Sequence, residues 1–172
     1  MIDLNIALVG FMGTGKTSAG KLAAKKLDLK YVDSDEEIEK KAGITIFEIF
    51  SNFGEPYFRD LEAKTIKEIS ERGSQVISCG GGAVLRDENI QNLKAGGIVV
   101  CLSASPETIF ERIKHEIHRP LLQVPNPKKR IRELLAERAP HYAKADETLD
   151  TTKLTVEQVA AEIIRLVRAR AG

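Results

Sequence analysis

Cysteine is scarce in this chain, long apolar runs are absent, and neither sign of charge dominates. Each shortage removes a class of protein. The two cysteines, Cys79 and Cys101, both lie in apolar stretches, and neither has another Cys or a His nearby at metal-ligand spacing. A zinc site built on them is excluded, and burial as small hydrophobes is the expectation. No apolar run approaches the ~20 residues that cross a bilayer. Lys and Arg number 26 against 25 Asp and Glu, a formal net charge of +1, so no global field draws the chain to nucleic acid. Asp3, followed so soon by a glycine-rich motif at Gly10, leaves no room for a targeting signal with its charged and apolar regions. These absences predict one soluble domain over 1–172, in a reducing, cytoplasmic setting, with no membrane and no nucleic-acid partner.

What is present starts at Gly10. Residues Gly10-Phe11-Met12-Gly13-Thr14-Gly15-Lys16-Thr17 match the phosphate-loop pattern G-x-x-x-x-G-K-[ST], with a strand-like stretch Asn5–Val9 before it and a helical one from Ser18 after it. A polyphosphate needs several donors aimed into one concavity. Glycines bring backbone N–H groups close without Cβ atoms in the way, and the helix N-terminus adds positive potential. Gly13, Thr14, Gly15 and Ser18 belong to this cradle; Lys16 reaches the β- and γ-phosphates, and the Thr17 hydroxyl ligates Mg²⁺. The competing reading is a glycine-rich turn that binds nothing.

Short β-rich runs alternate with longer helical patterns, which predicts an α/β fold with a parallel sheet. The strand candidates are Asn5–Val9, Lys30–Val32, Gln75–Ser78, Ile98–Leu102 and Glu147–Asp150. Thr45 with Glu48 and Thr155 with Gln158 read as capping boxes, Ser105 precedes Pro106 at a helix start, and Gly43, Gly54 and Gly73 fit helix stops. The least regular segment, from His115 to Asn126 with Pro120 and Pro125, predicts an excursion over the sheet edge. In an open parallel sheet ligands bind beyond the carboxyl ends of strands, so the residues just after each strand are candidates.

Tyr31-Val32-Asp33-Ser34-Asp35 follows the second strand, placing two carboxylates at i and i+2 on one face of an extended segment. One acid can take up or orient a hydroxyl attacking a γ-phosphate, and the other can hold that substrate or a metal-bound water. The alternative is helix capping, with Ser34 and Glu37 as a box. Arg59, one turn before Glu62, and Arg138 read as surface cations or local ion pairs, or as forks that clamp a carboxylate. Gly80-Gly81-Gly82 after the third strand predicts that a ligand or another backbone comes close. Arg119 is a loop arginine that closure would carry over the phosphates. His115 and His118 stand i, i+3 without an HExxH pattern, so zinc is set aside; His141 has no readable role, and Lys128-Lys129-Arg130 reads as a solvated face. The third strand ends without a Walker B aspartate, leaving metal to Thr17 and, through water, Asp33.

With those residues together, the chain resembles the shikimate kinases over essentially its whole length: the phosphate loop, Asp33-Ser34-Asp35, Gly54-Glu55 with Phe58-Arg59 and Glu62, Gly80-Gly81-Gly82, Arg119-Pro120-Leu121-Leu122, and Arg138 ahead of Pro140 and Tyr142. The resemblance implies a three-layer P-loop kinase fold, a five-stranded parallel sheet flanked by helices, with a substrate-binding region about 33–62 and a mobile lid about 113–124. It implies ATP as co-substrate, Mg²⁺ as cofactor, and phosphorylation of the 3-hydroxyl of shikimate on the route to chorismate and aromatic amino acids. Asp35, Arg59, Arg138 and Gly80–Gly82 would bind shikimate, Phe58 and Phe50 would wall its pocket, and Lys16, Asp33 and Arg119 would serve catalysis. Arg112 would pack against adenine, and Lys153 lies in a segment, Leu149–Lys153, that resembles an adenine-contacting loop. Two departures, His141 between Pro140 and Tyr142 and Cys79 before the glycines, carry no charge assigned to chemistry. The rival readings are a kinase for another small hydroxy acid or a nucleotide, and a non-catalytic ATP-binding sensor; a monomer is the default.

Overall fold

The computed structural model describes residues 3–116 and 119–171. Five strands run β1 Asn5–Val9, β2 Lys30–Asp33, β3 Gln75–Ser78, β4 Gly97–Ser103 and β5 Glu147–Asp150. They form one sheet in the order β2-β3-β1-β4-β5, every neighbouring pair parallel, as expected from the alternation of patterns. Between and after them lie α1 Lys16–Leu27, α2 Ser34–Ala42, α3 Ile46–Ser70, α4 Asp87–Gly96, α5 Pro106–Ile113, α6 Pro127–Tyr142 and α7 Val156–Ala171. Strand β1 is central and buried throughout. Its side chains alternate: Ile6 and Leu8 meet Ala19 and Ala23 of α1 and Val159 and Ile163 of α7, whereas Ala7 and Val9 face Ile66 and Ile69 of α3 and Leu93 of α4. Each of the Val, Leu and Ile side chains stabilises the fold by about 1.5–3 kcal/mol through the apolar surface it removes from water, and each alanine by less.

The punctuation holds in most places. Thr45 and Glu48 form a reciprocal capping box, as do Thr155 and Gln158, and Ser105 Oγ accepts from Thr108 N at 3.1 Å ahead of Pro106. Gly43 closes α2 with φ 72°. Gly54 is a break rather than a stop: at φ 83°, ψ 171° it interrupts α3, which resumes through Pro56. Gly73 lies past the end of α3, in the turn into β3.

The start of α2 departs from expectation. Asp33, not Ser34, is the cap, its Oδ1 accepting from Asp35 N at 2.9 Å and Glu36 N at 3.2 Å. Strand β2 runs into α2 without a linker, so the last extended residue (φ −105°, ψ 124°) holds the only backbone suited to a cap. Asp35 therefore stands on the first turn of a helix, not on an extended segment, and Ser34 Oγ is free to accept from Gly80 N at 3.0 Å. In the excursion after α5, Pro120–Gln123 forms a short 3₁₀ turn whose Leu121 packs with Phe11, Ile109, Ile113 and Ile131. Ile113 itself is the buried last residue of α5. His118, half of the histidine pair, and residue 117 of the expected lid lie outside the described residues.

Candidate active site

The carboxyl ends of β1, β2 and β3 open into one cleft of about 680 Å³. The loop after β1 turns sharply at Gly10, where φ is 139° and a Cβ would strike the Leu102 carbonyl, so no other residue fits. Thr14 Oγ1 donates to Phe11 O at 2.7 Å, and Lys16 Nζ donates to Gly10 O and Phe11 O at 2.6 and 2.9 Å. The ammonium is thus held inside the loop by carbonyls that a phosphate can replace. Burial pulls the Lys16 pKa down to about 8, partly offset by negative neighbours including Asp35. Gly13, Gly15, Thr17 and Ser18 line the same end of the cleft, while Thr14 is turned inward and buried.

Opposite stand the two acids. Asp33 and Asp35 both line the cleft although strand pairing places one and a helix turn the other. Burial, and then the adjacent Asp33 charge, raise the Asp35 pKa to about 6, and its Oδ1 is buried without a hydrogen-bond partner. That orphaned oxygen is a site for a donor the protein itself does not supply.

The glycine turn explains itself at this point. A Cβ on Gly80 would stand 2.8 Å from Asp35 Oδ1, and one on Gly82 would overlap the Arg59 guanidinium. Two side chains of the cleft thus come close to Gly80 and Gly82, the backbone of Gly10 and Met12 lies 3.7 Å from a would-be Cβ on Gly81, and Gly81 is held by Tyr142, whose hydroxyl donates to Gly81 O at 2.8 Å. Arg59 pairs with buried Glu62 at 2.8 Å and with Glu55 at 3.3 Å, and lies over the Phe58 ring at 5.1 Å. The ion-pair reading of Arg59 is therefore correct, and it lines the cleft as well. Burial raises the Glu62 pKa while Arg59 opposes the shift. Arg138 reaches the cleft from α6, its guanidinium 5.5 Å from the centre of the Phe11 ring.

Arg119 lines the cleft while paired with Glu116, with Met12 Sδ 4.0 Å from its Nη1. Arg112 borders an adjoining groove of about 420 Å³ with Gly15, Thr151 and Leu154. Lys153 is exposed and lines neither space, and Phe50 packs on Phe58 at 4.7 Å without reaching the cleft. Glu39, Ile46 and Ser78 also line the cleft and were not anticipated. Helical spacing from Asp35 to Glu39 was the available signal for the first; nothing in the pattern marked the others. Tyr142 and Thr151 act through hydrogen bonds to residues far away in the sequence, which no local spacing announces.

A family model described as shikimate kinase matches residues 12–168. The chain belongs to the shikimate kinase family. The shikimate kinase of Thermodesulfovibrio yellowstonii is 58% identical over 161 residues, covering 94% of this chain and 93% of that protein. That of Caldanaerobacter subterraneus subsp. tengcongensis is 48% identical, with 94% of each covered. Among solved structures, the shikimate kinase from Acinetobacter baumannii in complex with shikimate superposes with a TM-score of 0.90 at 40% identity, covering 97% of this chain and 94% of that one. The parallel sheet and the phosphate loop at its centre are thus those of a shikimate kinase with the P-loop kinase fold. Among the described residues no helix is long and apolar enough to cross a membrane.

Proposed function

We propose that this chain carries out its family's reaction with Asp35, Arg59, Arg138 and the Gly80–Gly82 turn holding the acceptor, and with Lys16, Asp33 and Arg119 acting on the transferred group. The reaction is ATP-dependent phosphorylation of the 3-hydroxyl of shikimate, giving shikimate 3-phosphate and ADP, a step toward chorismate and the aromatic amino acids. The observation that carries the residue assignment is convergence: an acidic pair, two guanidinium groups and a phosphate loop, from five separate elements, share one cleft.

Arg59 and Arg138 present donors suited to a carboxylate, and the unpartnered Oδ1 of Asp35 accepts from a ring hydroxyl. Phosphoryl transfer has a loose transition state, so the protein's work is placement and charge. Lys16 leaves its loop carbonyls for the phosphate oxygens, and Arg119 exchanges Glu116 for the developing negative charge. Asp33 has Oδ1 committed to its cap and Oδ2 accepting from the Tyr31 hydroxyl at 3.5 Å, which leaves a second lone pair on Oδ2 for orienting the nucleophile or a water. Ser18 and Thr14 complete the cradle, Arg112 borders the adenine side, and Lys153 meets nucleotide only at the rim of that side.

Thr17 and Asp33 are hard oxygen donors that both line the cleft, and they fit Mg²⁺ as a partly hydrated ion. Among the described residues no cluster of three or more His, Cys, Asp or Glu stands ready to hold a metal, so such an ion would depend on phosphate and water oxygens. Held by the Thr17 hydroxyl and, through water, by Asp33, Mg²⁺ would offset the negative charge of the transferred phosphates. The lid about 113–124 closes over the phosphates and excludes water as a competing acceptor. The protein works as a cytoplasmic monomer with no nucleic-acid or membrane partner.

The test is ADP release from Mg·ATP with shikimate, quinate, gluconate and a nucleoside monophosphate as separate acceptors. Turnover with shikimate is expected, lost by about 100-fold or more in Lys16→Ala; turnover only with another acceptor, or an active Lys16→Ala, overturns the assignment.

A further inference from the structure

Thr151 follows β5 at its carboxyl end and is wholly buried, yet its hydroxyl reaches across the fold to the phosphate loop. Oγ1 donates to Thr14 O at 2.9 Å and lies 3.0 Å from Ser103 O. The Ser103 carbonyl already accepts from Thr151 N at 2.8 Å, so the single hydroxyl proton belongs on Thr14 O. Arg112 then braces the arrangement. Its Nη1 donates to Thr151 Oγ1 at 3.1 Å and to Gly13 O at 3.0 Å, and its Nη2 donates to Thr151 O at 2.8 Å.

A trans peptide is planar, with C=O and N–H pointing in opposite directions. Drawing the Thr14 carbonyl back into the protein therefore turns the Gly15 N–H outward, and drawing back the Gly13 carbonyl does the same for the Thr14 N–H. Gly15 needs this restraint most, because at φ 99° with nothing within 4 Å of a would-be Cβ no packing fixes it. We infer that Thr151 is a positioning residue, its hydroxyl aiming the Gly15 N–H into the phosphate site with Arg112 as brace. The inference rests on reading residues 10–17 as the site for the ATP phosphates. It gives the segment after β5 a task directed at the polyphosphate, separate from any contact with adenine.

Thr151→Val keeps shape and β-branching but removes the donor, and Thr151→Ser keeps the donor. Binding of ATP and of inorganic tripolyphosphate, which has no adenosine, is measured by calorimetry for each variant alongside steady-state kinetics. The expected result for Thr151→Val is affinity about tenfold weaker for both ligands, the size of one lost buried hydrogen bond. Its KM for shikimate stays unchanged, and Thr151→Ser behaves as wild type. Thr151→Cys, with a weak donor of similar volume, takes the place of the valine variant should that one fail to fold. Weaker ATP binding with tripolyphosphate unaffected overturns the inference by moving the role to adenosine. A serine variant as weak as the valine one, or a valine variant equal to wild type, overturns it too. Failure of the wild-type protein to bind tripolyphosphate overturns the phosphate-site reading itself, and this inference with it.

Discussion

Asp35 Oδ1 occupies the space beside Gly80, 2.8 Å from where a Cβ would be. The glycine is thus one wall of the seat in which the carboxylate rests. Gly80 has no left-handed backbone, so a substitution there acts through contact alone. Gly80→Ala is expected to push the carboxylate toward the acceptor and raise the KM for shikimate about tenfold, with the KM for ATP unchanged. Steady-state kinetics with each substrate varied separates the two; equal changes in both would place the effect on the loop instead.

The two perturbed groups predict a pH profile. Burial holds Asp35 partly protonated up to about pH 6, and Lys16 begins to lose its proton near pH 8. Accordingly kcat/KM for shikimate rises with pH through an apparent pKa near 6, and kcat/KM for ATP falls through one near 8. A flat shikimate profile across the acid limb would remove ionised Asp35 from the mechanism.

The same carboxylate sets a stability difference whose sign is opposite to that of an ion-paired acid. Its pKa is raised on folding, from 3.8 to about 6, so the folded state binds the extra proton and stability falls as pH climbs between those values. Above about pH 6 the buried charge costs up to about 3 kcal/mol. Asp35→Asn should therefore melt higher than wild type at pH 7.5 while losing activity, with the gain shrinking below pH 6 and gone below about 4. Thermal unfolding across that range is the measurement; a variant less stable at neutral pH would contradict it.

Tyr142 supplies a fourth test. Its hydroxyl holds the Gly81 carbonyl at 2.8 Å from α6, the helix that also carries Arg138. Tyr142→Phe is expected to raise the KM for shikimate several-fold, about 1 kcal/mol of positioning, and to leave kcat within about twofold. A fall in kcat alone would assign the tyrosine to chemistry.

The sheet was legible because each strand and each helix start carries local chemistry: β-branched runs, capping boxes at Thr45 and Thr155, Pro106 behind Ser105. The phosphate loop was legible for the same reason. Asp33 and Ser34 were harder, since whether a side chain caps its own helix or reaches another loop depends on where β2 stops, and that is decided by pairing with β3. The glycine triplet announced close approach but not the identity of what approaches, because Asp35 and Arg59 arrive from elsewhere in the chain. Thr151 and Tyr142 lay within stretches that the resemblance marked, but the partners of their hydroxyls could not be read, lying 137 and 61 residues away.

Cys79 and Cys101 are buried as small hydrophobes, 2% and 3% exposed. Burial pushes the Cys79 thiol far up and the Cys101 thiol to about 11, so neither is a nucleophile while the fold is closed. Cys79 nonetheless borders the cleft directly before the glycine turn. Alkylation there can proceed only as fast as the turn opens, which makes the thiol a built-in clock for breathing of the acceptor seat, one that bound shikimate should slow.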